Sequence, residues 1–351
     1  MQSTPACVVV GSGSAGRRHA ATLRALLPDH RLVLVRRPRS RQPTAPFDEM
    51  GAIIVTSISE ALVYRPALGV VAGPATTHAA DCTVLLSEGV HVLVEKPLAA
   101  SSADGCRIHA ASILGGLPVV VGYHLRLDDV AASFAEGVWA EAAISETRSF
   151  ELSVGQHLGE WRSTPAPERS VSARFELGGG VLLELSHEID AVLRMFGPVV
   201  SVRAQLASDG APTDGVVDTV ADLELVMASG ATGRVHLDMV SRPAHRTWTA
   251  EGLGWRVAAD LREGTVRIGS GPRQRNITVP SGSRDRAEER LIQNLLHVST
   301  GAAQPVCTSG EGLAVLAVID AARASADTGA AVRVATPAIS PPTSIEKGTN
   351  S

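Results

Sequence analysis

The sequence predicts an α/β domain built on a doubly wound parallel sheet, followed by an α+β domain with a large, mostly antiparallel open sheet. Three observations support this fold class. Residues 1–121 alternate short apolar runs with segments of helical periodicity, which is typical of a parallel sheet covered by helices on both faces. Beyond residue 122, apolar residues alternate with polar ones, which is typical of antiparallel strands with one face on a core. The first apolar run ends in a glycine-rich turn that opens a helix.

The first domain is expected to span residues 1–121. Its strands are predicted at residues 7–10, 32–35, 51–55, 69–72, 90–94 and 118–121, and its helices include 15–27, 78–88 and 101–114. Because the predicted strands are largely apolar, we expect them to be buried on both faces of the sheet.

The second domain is expected to span residues 122–335, and residues 336–351, rich in Pro, Ser and Thr, to form a disordered tail. Within the domain, strands with alternating polarity are predicted at 219–227 and 234–240, and helices at 284–297 and 311–326. A wide sheet with one polar face is often covered by a second subunit. We therefore expect a homo-oligomer, a dimer or tetramer, that associates through the open sheet.

The composition limits the possible partners and locations. The net charge is −4 with both signs interspersed, and no basic tract carries interleaved aromatics, which argues against a nucleic-acid or membrane partner. No apolar run approaches the roughly 20 residues that span a bilayer, and the N-terminus lacks the basic segment of a secretory signal. The four cysteines lie far apart, without metal-binding or redox spacing. We therefore expect reduced thiols, a cytoplasmic location and no metal site.

The glycine-rich turn fits the dinucleotide-binding pattern G-x-G-x-x-G. Gly11 permits a tight turn, Gly13 lets a pyrophosphate approach the backbone, and Gly16 lets the following helix pack on the strand. The helix N-terminus then offers free N–H groups to phosphate oxygens. The pattern therefore predicts a Rossmann domain whose cofactor site includes Gly11, Ser12, Gly13, Ser14, Ala15 and Gly16.

The end of the second predicted strand indicates which dinucleotide is bound. An acidic residue at this position usually binds the adenosine ribose of NAD. Here the strand is followed by Arg36 and Arg37, whose charges would attract the 2′-phosphate of NADP. We therefore expect NADP or NAD as cofactor, with a preference for NADP. The alternative is that both arginines are solvated and that other contacts hold NAD.

Lys96 is the main candidate for the catalytic centre. The chain has 32 lysines and arginines, yet lysine occurs only at Lys96 and at Lys347 in the expected tail. Lys96 follows a predicted strand, between Glu95 and Pro97, and loops at strand ends of a doubly wound sheet line the ligand crevice. As an ammonium group it would hydrogen-bond a substrate oxygen and stabilise negative charge that develops there.

A second candidate set follows three consecutive glycines at residues 178–180. Glu184, His187 and Asp190 are spaced i, i+3 and i+6, so on one helix they would share a face. A carboxylate beside an imidazole can orient the ring and raise its basicity, which would suit His187 for acid–base work on a hydroxyl group. The set also fits a solvated polar stripe, although the glycines favour the close approach of another group.

Together these motifs resemble the Gfo/Idh/MocA family, the glucose-fructose oxidoreductase and inositol dehydrogenase superfamily. The resemblance spans about residues 5–335. It rests on residues 11–16, 72–78, 95–97, 122–126 and 161–162 and on the triple glycine with His187. It implies a Rossmann domain followed by an α/β domain with a large open sheet. It also implies NAD(P)-dependent oxidation or reduction at a carbon of a sugar, cyclitol or related molecule.

The resemblance also assigns individual residues. It implies that Lys96 and His187 are catalytic, with Glu184 as the acid that orients His187. The residues that it places around the cofactor are Gly73, Thr76, His78, Glu95, Lys96, Pro97 and Arg126, and those near the substrate are Tyr123, His124, Trp161, Arg162 and Asp190. Two positions depart from the family pattern, because Leu183 replaces the usual aspartate and Ser186 the usual glycine. The geometry of the acid–histidine pair is therefore open.

The leading interpretation is an NAD(P)-dependent dehydrogenase or reductase that acts at a secondary alcohol or ketone of a sugar, nucleotide-sugar or cyclitol-like substrate. His187 would handle the hydroxyl proton while Lys96 polarises the oxygen. The Leu-Ser-His-Glu-Ile-Asp segment also resembles members in specialised or surface-sugar biosynthesis. The alternatives are an imine or enamine reductase in a biosynthetic pathway, a non-catalytic NAD(P)-binding regulator, and glycoside cleavage without net redox change.

Overall fold

The computed structural model of the chain describes residues 4–38, 43–161, 167–208, 213, 216–270, 272 and 274–335. The expected tail at residues 336–351 and the candidate Arg162 lie outside these residues. The described residues form two sheets, one in each half of the chain.

Among the described residues, the first sheet is parallel and has six strands. These are β1 (Ala6–Val10), β2 (Arg31–Val35), β3 (Ile53–Val55), β4 (Pro66–Val71), β5 (His91–Val94) and β6 (Val120–Val121), in the order β3-β2-β1-β4-β5-β6. The connecting helices are α1 (Ser14–Leu26), α2 (Ala45–Asp48), α3 (Ile58–Leu62), α4 (His78–Ser87) and α5 (Ser102–Gly115). The predicted doubly wound parallel sheet is confirmed, and each predicted strand is present with shifted ends.

The strand order creates a ligand crevice at one edge of this sheet. The chain winds outward from β1 to β3 on one side and from β4 to β6 on the other, so the loops after β1 and β4 diverge. Such a switch point is the usual ligand position in doubly wound sheets. Every side chain of β1 is buried, because helices cover both faces. The glycine-rich turn and the Glu95-Lys96-Pro97 segment therefore open at the same edge.

The second sheet has nine strands within the described ranges. These are β7 (Thr147–Gly155), β8 (Val199–Ala207), β9 (Val220–Met227), β10 (Thr232–Asp238), β11 (His245–Gly252), β12 (Trp255–Asp260), β13 (Thr265–Ile268), β14 (Arg275–Thr278) and β15 (Val332–Arg333), in the order β14-β13-β12-β11-β7-β10-β9-β8-β15. The helices of this half are α6 (Asp129–Ala142), α7 (Leu158–Trp161), α8 (Val181–Glu184), α9 (His187–Phe196), α10 (Ser283–Ser299) and α11 (Ser309–Thr328). Among the described strands of this sheet only β7 and β10 pair in parallel, so the predicted mostly antiparallel sheet is confirmed.

This second sheet has one buried and one polar face. Burial alternates along β9, where Leu223 and Leu225 are in the core while Asp222 and Glu224 are exposed. Helices α6, α9 and α11 pack on the buried face. We call the other side the open face, and its polar side chains include Glu151, Ser153, Asp222, Glu224, Arg234 and His236. Association of a second subunit through the open face stays a prediction.

Contacts cross the predicted domain boundary at residue 121. Helix α11 packs against α5 and β6 of the first domain. Gly105 on α5 permits this contact, because a Cβ there would lie 2.8 Å from the side chain of Leu316. All four cysteines are free thiols. None of the described helices combines the length and apolar character needed to cross a membrane.

Candidate active site

The turn after β1 has the packing that its glycines predict. Gly11 has φ +115°, and a Cβ there would lie 2.6 Å from the carbonyl oxygen of Ala72. A Cβ on Gly16 would lie 2.0 Å from the carbonyl oxygen of Gly11, so neither position admits a larger side chain. A Cβ on Gly13 would meet no described atom within 4 Å. Open space therefore lies over the backbone at the one glycine that was predicted to face a pyrophosphate.

The N-terminus of α1 lies at this space. Gly13 is the N-cap, and neither a capping side chain nor an acid in the first turn occurs at this end of the described helix. Free N–H groups and the helix dipole favour a bound anion. Ser12 is buried and Ser14 exposed at the edge of the turn. These residues fit the pyrophosphate of a dinucleotide.

The arginine pair after β2 is only partly available to a ligand. Arg37 donates a hydrogen bond to a carboxylate oxygen of Asp81 on α4. Asp81 is buried, and its other oxygen accepts a hydrogen bond of 3.1 Å from Thr77. The sequence pattern does not reveal Asp81, because it lies 44 positions away from Arg37. The charge of Arg37, which the sequence predicts to attract a 2′-phosphate, is therefore already balanced, whereas Arg36 directly follows the strand.

His78 braces two loops of the crevice. Its Nδ1 lies 3.1 Å from the carbonyl oxygen of Pro97, and its Nε2 lies 3.0 Å from that of Gly73. The residue is 1% exposed, and burial lowers its pKa. Both ring nitrogens face protein carbonyls, so the side chain links the loop after β4 to the loop after β5. The assignment of His78 to the cofactor lining stays a prediction. The adjacent Thr76 is exposed.

Glu95 is held by a residue that the sequence analysis missed. Nε2 of His19, on α1, lies 2.6 Å from Oε1 of Glu95, and the backbone N–H of Lys96 donates to Oε2 at 3.2 Å. Burial raises the pKa of Glu95, but the hydrogen bond from His19 and nearby positive charges outweigh it and bring the pKa to about 2. Glu95 is therefore ionised. His19 lies three residues after Gly16 on the buried side of α1, and that spacing is the signal that could have found it.

Lys96 connects the crevice of the first domain to the second domain. Its Nζ donates a hydrogen bond of 2.6 Å to the backbone oxygen of Glu184, and the Glu184 carboxylate lies 3.7 Å away. The lysine side chain is 15% exposed. Gly122 packs against the lysine backbone, since a Cβ there would lie 3.2 Å from the Lys96 nitrogen. The ammonium group thus lies at the crevice edge and against the segment that leads to His187.

The segment that carries Glu184, His187 and Asp190 is not one helix, so the prediction of a shared helix face is wrong. Helix α8 ends at Glu184, and α9 begins at His187. Between them, Ser186 turns back and donates a hydrogen bond of 3.0 Å to the carbonyl oxygen of Leu183. The interruption sends the three side chains in different directions. Glu184 contacts Lys96, and no hydrogen bond joins it to His187 within the described part of the chain.

The triple glycine before this segment serves close packing within the protein. Gly178 and Gly180 have positive φ, +78° and +106°. A Cβ on Gly179 would lie 2.5 Å from the carbonyl oxygen of Val171, and one on Gly178 would lie 3.0 Å from the side chain of Ala75. The close approach that the sequence predicts is therefore made by loops of the chain itself, one of them in the first domain.

His187 is buried between two aromatic rings. Its ring centroid lies 5.5 Å from that of Tyr123 and 4.6 Å from that of His124, both edge to face. Nδ1 is buried and has no hydrogen-bond partner among the described residues. Burial lowers the pKa of His187 well below its usual range, and neighbouring cations, Lys96 among them, lower it further. The imidazole is therefore neutral at physiological pH.

His124 shares this environment. Burial lowers its pKa to about 3, although the charge of Glu95 opposes the shift. Arg246 and Arg284 also act on its pKa from the second domain. Tyr123, beside it, is fully buried and donates a hydrogen bond of 3.2 Å to the hydroxyl of Ser186. Tyr123 thus supports the turn before His187. His124, which is partly exposed, also contacts the His187 ring.

Arg126 and Asp190 form a buried ion pair, and their assignment to the cofactor and the substrate stays a prediction. The guanidinium donates to both carboxylate oxygens, with Nη2 2.6 Å and Nε 3.0 Å from them, and the two side chains are 5% and 2% exposed. Arg126 also donates to the carbonyl oxygen of Val306 at 2.9 Å and to Glu311 at 2.5 Å. With four of its N–H donors bonded to protein acceptors, this arginine fastens α9 to the segment that follows β6.

A second buried acid follows His187 directly, and the sequence analysis missed it. Glu188 is fully buried and accepts hydrogen bonds from Arg246 at 2.7 and 2.9 Å and from Trp248 at 3.1 Å. Both partners lie on β11, so Glu188 anchors the start of α9 to the second sheet. An acidic residue beside a candidate histidine is the only signal in the sequence, and it does not name the partner.

Trp161 and Arg162 were predicted to border the substrate. Trp161 is the last residue of α7 and packs, partly buried, against the hydrophobic core. Arg162 lies outside the described residues. Their contact with a substrate stays a prediction.

Known families match both halves of the chain. A family sequence model described as "Oxidoreductase family, NAD-binding Rossmann fold" matches residues 6–123, and the "GFO/IDH/MocA C-terminal domain" matches residues 135–259. The two matches follow the two sheets and together span most of the chain. The chain is therefore an oxidoreductase with an NAD-binding Rossmann domain. It belongs to the Gfo/Idh/MocA family, as its motifs predict.

Three similar proteins illustrate the range of the family. The chain is 30% identical over 206 residues to 1-carboxy-3-chloro-3,4-dihydroxycyclo hexa-1,5-diene dehydrogenase of Comamonas testosteroni, a match that covers 56% of this chain and spans only 50% of that relative. It is 22% identical over 349 residues to scyllo-inositol 2-dehydrogenase (NADP(+)) IolW of Bacillus subtilis, covering 90% and 92% of the two chains. A solved levoglucosan dehydrogenase complex with NADH shares the fold, with a TM-score of 0.82, 17% identity and coverage of 94% and 99%.

Proposed function

We propose that the chain is an NAD(P)-dependent dehydrogenase or reductase that acts at a secondary alcohol or ketone on the ring of a sugar, nucleotide-sugar or cyclitol-like substrate. The observation that carries this proposal is the 2.6 Å hydrogen bond from Lys96 Nζ to the backbone of Glu184. It brings a cation at the crevice of the NAD-binding domain against the turn that presents the neutral ring of His187. The names of the relatives, which include inositol and a dihydroxycyclohexadiene, support a hydroxylated ring as substrate.

His187 and Lys96 have different roles in the proposed oxidation of an alcohol. A bound nicotinamide would supply the hydride acceptor for the alcohol carbon, and the hydroxyl proton must leave at the same time. Nδ1 of His187 is sealed in the protein, so we assign proton acceptance to Nε2 of the neutral ring. Lys96 donates a hydrogen bond to the substrate oxygen and stabilises its negative charge. In the reverse direction the same two residues return the proton and polarise the ketone.

Glu184 has a different role from the one that the family resemblance implies. Its backbone oxygen and carboxylate both lie against Lys96, so we propose that it positions the lysine and balances its charge. Orientation of His187 then falls to the ring contacts with Tyr123 and His124 and to the anchored start of α9.

We propose that the cofactor is NAD or NADP and that the preference between them depends on the Arg37–Asp81 pair. Because Asp81 already balances the charge of Arg37, that arginine attracts a 2′-phosphate less than an unpaired one would. The Arg37–Asp81 pair should therefore make the preference for NADP over NAD smaller than two unpaired arginines would make it.

An assay with the intact chain tests this function. The purified protein is given NAD⁺ or NADP⁺ with inositol isomers, sugars and nucleotide sugars, and the reduced cofactors with the matching ketones, while nicotinamide absorbance is followed. We expect turnover with a ring alcohol or ketone. Turnover only with imine precursors would instead support an imine reductase, and tight cofactor binding without turnover on the whole panel would support a regulator. Either outcome overturns the proposal.

We further propose that the chain works in the cytoplasm as a dimer or tetramer associated through the open face. Along β9 and β10 the polar side chains of this face alternate with core residues, which lie on the opposite side of the sheet. A partner can therefore cover the polar face while the core residues stay buried. Light scattering on the purified chain tests the assembly, and a monomer at micromolar concentration would contradict it.

A further inference from the structure

Three side chains with metal-binding chemistry converge on the open face, on the side of the second sheet opposite the helices. They are His236 and Asp238 on β10 and His245 at the start of β11. Each offers a ligand atom, and these atoms all lie within 4.8 Å of one another. The cluster is remote in the fold from Lys96 and His187, which lie on the buried side, and the proposed reaction uses none of its members.

The strand register explains why the cluster closes over one position. β10 and β11 are not neighbours, because both pair with β7, which lies between them. Asp238 and His245 are both opposite Gly155 on β7. A Cβ at Gly155 would lie 2.0 Å from Oδ2 of Asp238 and 2.5 Å from Cε1 of His245. The glycine therefore leaves the space in which the carboxylate and the imidazole meet above the middle strand.

Other contacts fix the side chains of two of the candidate ligands. Oδ1 of Asp238 accepts hydrogen bonds from the backbone of Val240 at 2.8 Å and of Ser241 at 2.5 Å, which turns Oδ2 towards Nε2 of His236, 3.1 Å away. Nδ1 of His236 lies 2.7 Å from a carboxylate oxygen of Asp222. Metal-binding histidines usually donate their second ring N–H to a carboxylate in this way, because the bond fixes the tautomer and the ring.

We propose that His236, Asp238 and His245 bind one divalent transition-metal ion, with zinc the best match to the ligand set. Two imidazoles and one carboxylate suit zinc, which takes nitrogen and oxygen ligands at about 2.0–2.2 Å, and water completes its coordination. Because the ligands come from the two strands on either side of β7, the ion ties together strands that share no hydrogen bonds with each other. The ion stabilises the open face and takes no part in hydride transfer.

The test uses the intact chain, freed of metal with a chelator and then titrated with zinc chloride against a chromophoric competitor. We expect one zinc ion per chain and a higher Tm in the zinc-loaded protein, because the ion binds the folded state. Cobalt(II) in place of zinc should give the visible absorption of a tetrahedral nitrogen and oxygen site without a sulfur charge-transfer band.

Variants test whether zinc binds at this cluster or at other histidines of the chain. His245→Ala and His236→Gln should each weaken zinc binding by roughly 100-fold or more, because loss of a ligand exceeds the effect of losing an outer-shell partner. His187→Ala, which changes the candidate active site, and His297→Ala, which removes an exposed histidine at the end of α10, should bind zinc as the parent chain does. The proposal is overturned if the parent chain binds no zinc, or if H245A and H236Q retain its affinity. The cluster would then be a metal-free network of hydrogen bonds.

Discussion

Lys96 and Arg126 both follow strands of the parallel sheet, and both contact a carboxylate residue of the second domain. The lysine is lightly held: one hydrogen bond to a backbone oxygen, a carboxylate at 3.7 Å and a side chain that is 15% exposed. The arginine is tightly held: Nε and Nη2 donate to Asp190, Nη1 donates to Glu311 and Val306, and the side chain is 5% exposed. Family resemblance assigns both residues to the ligand site, but the lysine keeps more of its donors and more solvent access for a ligand.

This difference shows how to distinguish a cationic side chain that binds a ligand from one that stabilises the fold. A cation that serves a ligand must keep part of its hydrogen-bonding capacity unused by the protein. A cation that is fully bonded in the interior has been desolvated already, and its removal leaves buried acceptors without a partner. Substitutions at the two positions should therefore act on different quantities, stability for Arg126 and turnover for Lys96.

The largest expected effect is on stability. Arg126→Ala should lower the free energy of unfolding by about 3–5 kcal/mol, because Asp190 stays buried without its counter-charge. Urea denaturation measures the loss. Arg107→Ala is the matched control, since its ion pair with Asp104 is exposed, with the two side chains 61% and 34% accessible. An exposed pair contributes about 0–1 kcal/mol. Equal losses in the two variants would contradict the fastening role of Arg126.

The next effect is on turnover. Lys96→Ala should lower kcat/KM by roughly 10²–10³-fold, the usual cost of removing a donor to a developing oxyanion. Cofactor affinity, measured by calorimetry, and the urea midpoint should change little, because the lysine makes one bond to the protein. Wild-type kcat in this variant would sink the proposed mechanism, and a loss of stability as large as that of R126A would erase the contrast between the two cations.

The third expected effect is a pH dependence of the free energy of unfolding that comes from His124. The pKa of His124 is about 3 in the folded chain against an ordinary 6.5, so the unfolded chain binds more protons in this interval. The stabilisation is fully present above pH 6.5 and is lost as the pH falls towards 3. At pH 5 the loss is about 2 kcal/mol relative to pH 8.

The variant His124→Asn, which cannot titrate, tests that effect. Between pH 8 and pH 5 its free energy of unfolding should fall by about 2 kcal/mol less than that of the parent chain. The exposed His297→Asn should follow the parent. Parallel pH profiles for H124N and the parent would show that His124 carries no such penalty.

The smallest effect concerns the cofactor. Asp81 holds Arg37 in a half-exposed pair, so Asp81→Asn should release the guanidinium towards a 2′-phosphate. The ratio of kcat/KM for NADP over NAD should then rise by up to about fivefold, since a partly exposed ion pair contributes about 1 kcal/mol. Initial rates with both cofactors measure the ratio. A second substitution, Arg37→Ala, should abolish the gain, and a gain that persists would assign it elsewhere.

The sequence predicts well what neighbouring residues along the chain decide. The apolar runs of the first domain indicate strands buried on both faces, and the structure has them. The alternation in β9 and β10 indicates one face on a core, and the glycines at 11 and 16 have the close packing that their motif demands. The helix expected through Glu184 and His187 fails for a reason that periodicity does not contain. Ser186 bonds back to Leu183 and ends the first helix.

What the sequence by itself determined is the doubly wound domain, its glycine turn and the position of Lys96 at a strand end, because these follow from local periodicity and turn chemistry. Only the tertiary structure decided the partners. Lys96 meets Glu184 across 88 positions, Arg126 meets Asp190 across 64, and His245 meets Asp238 because Gly155 separates their strands. Charge pairs, buried histidines and metal ligands are chosen by packing between distant elements, and no pattern within one segment records which element lies opposite.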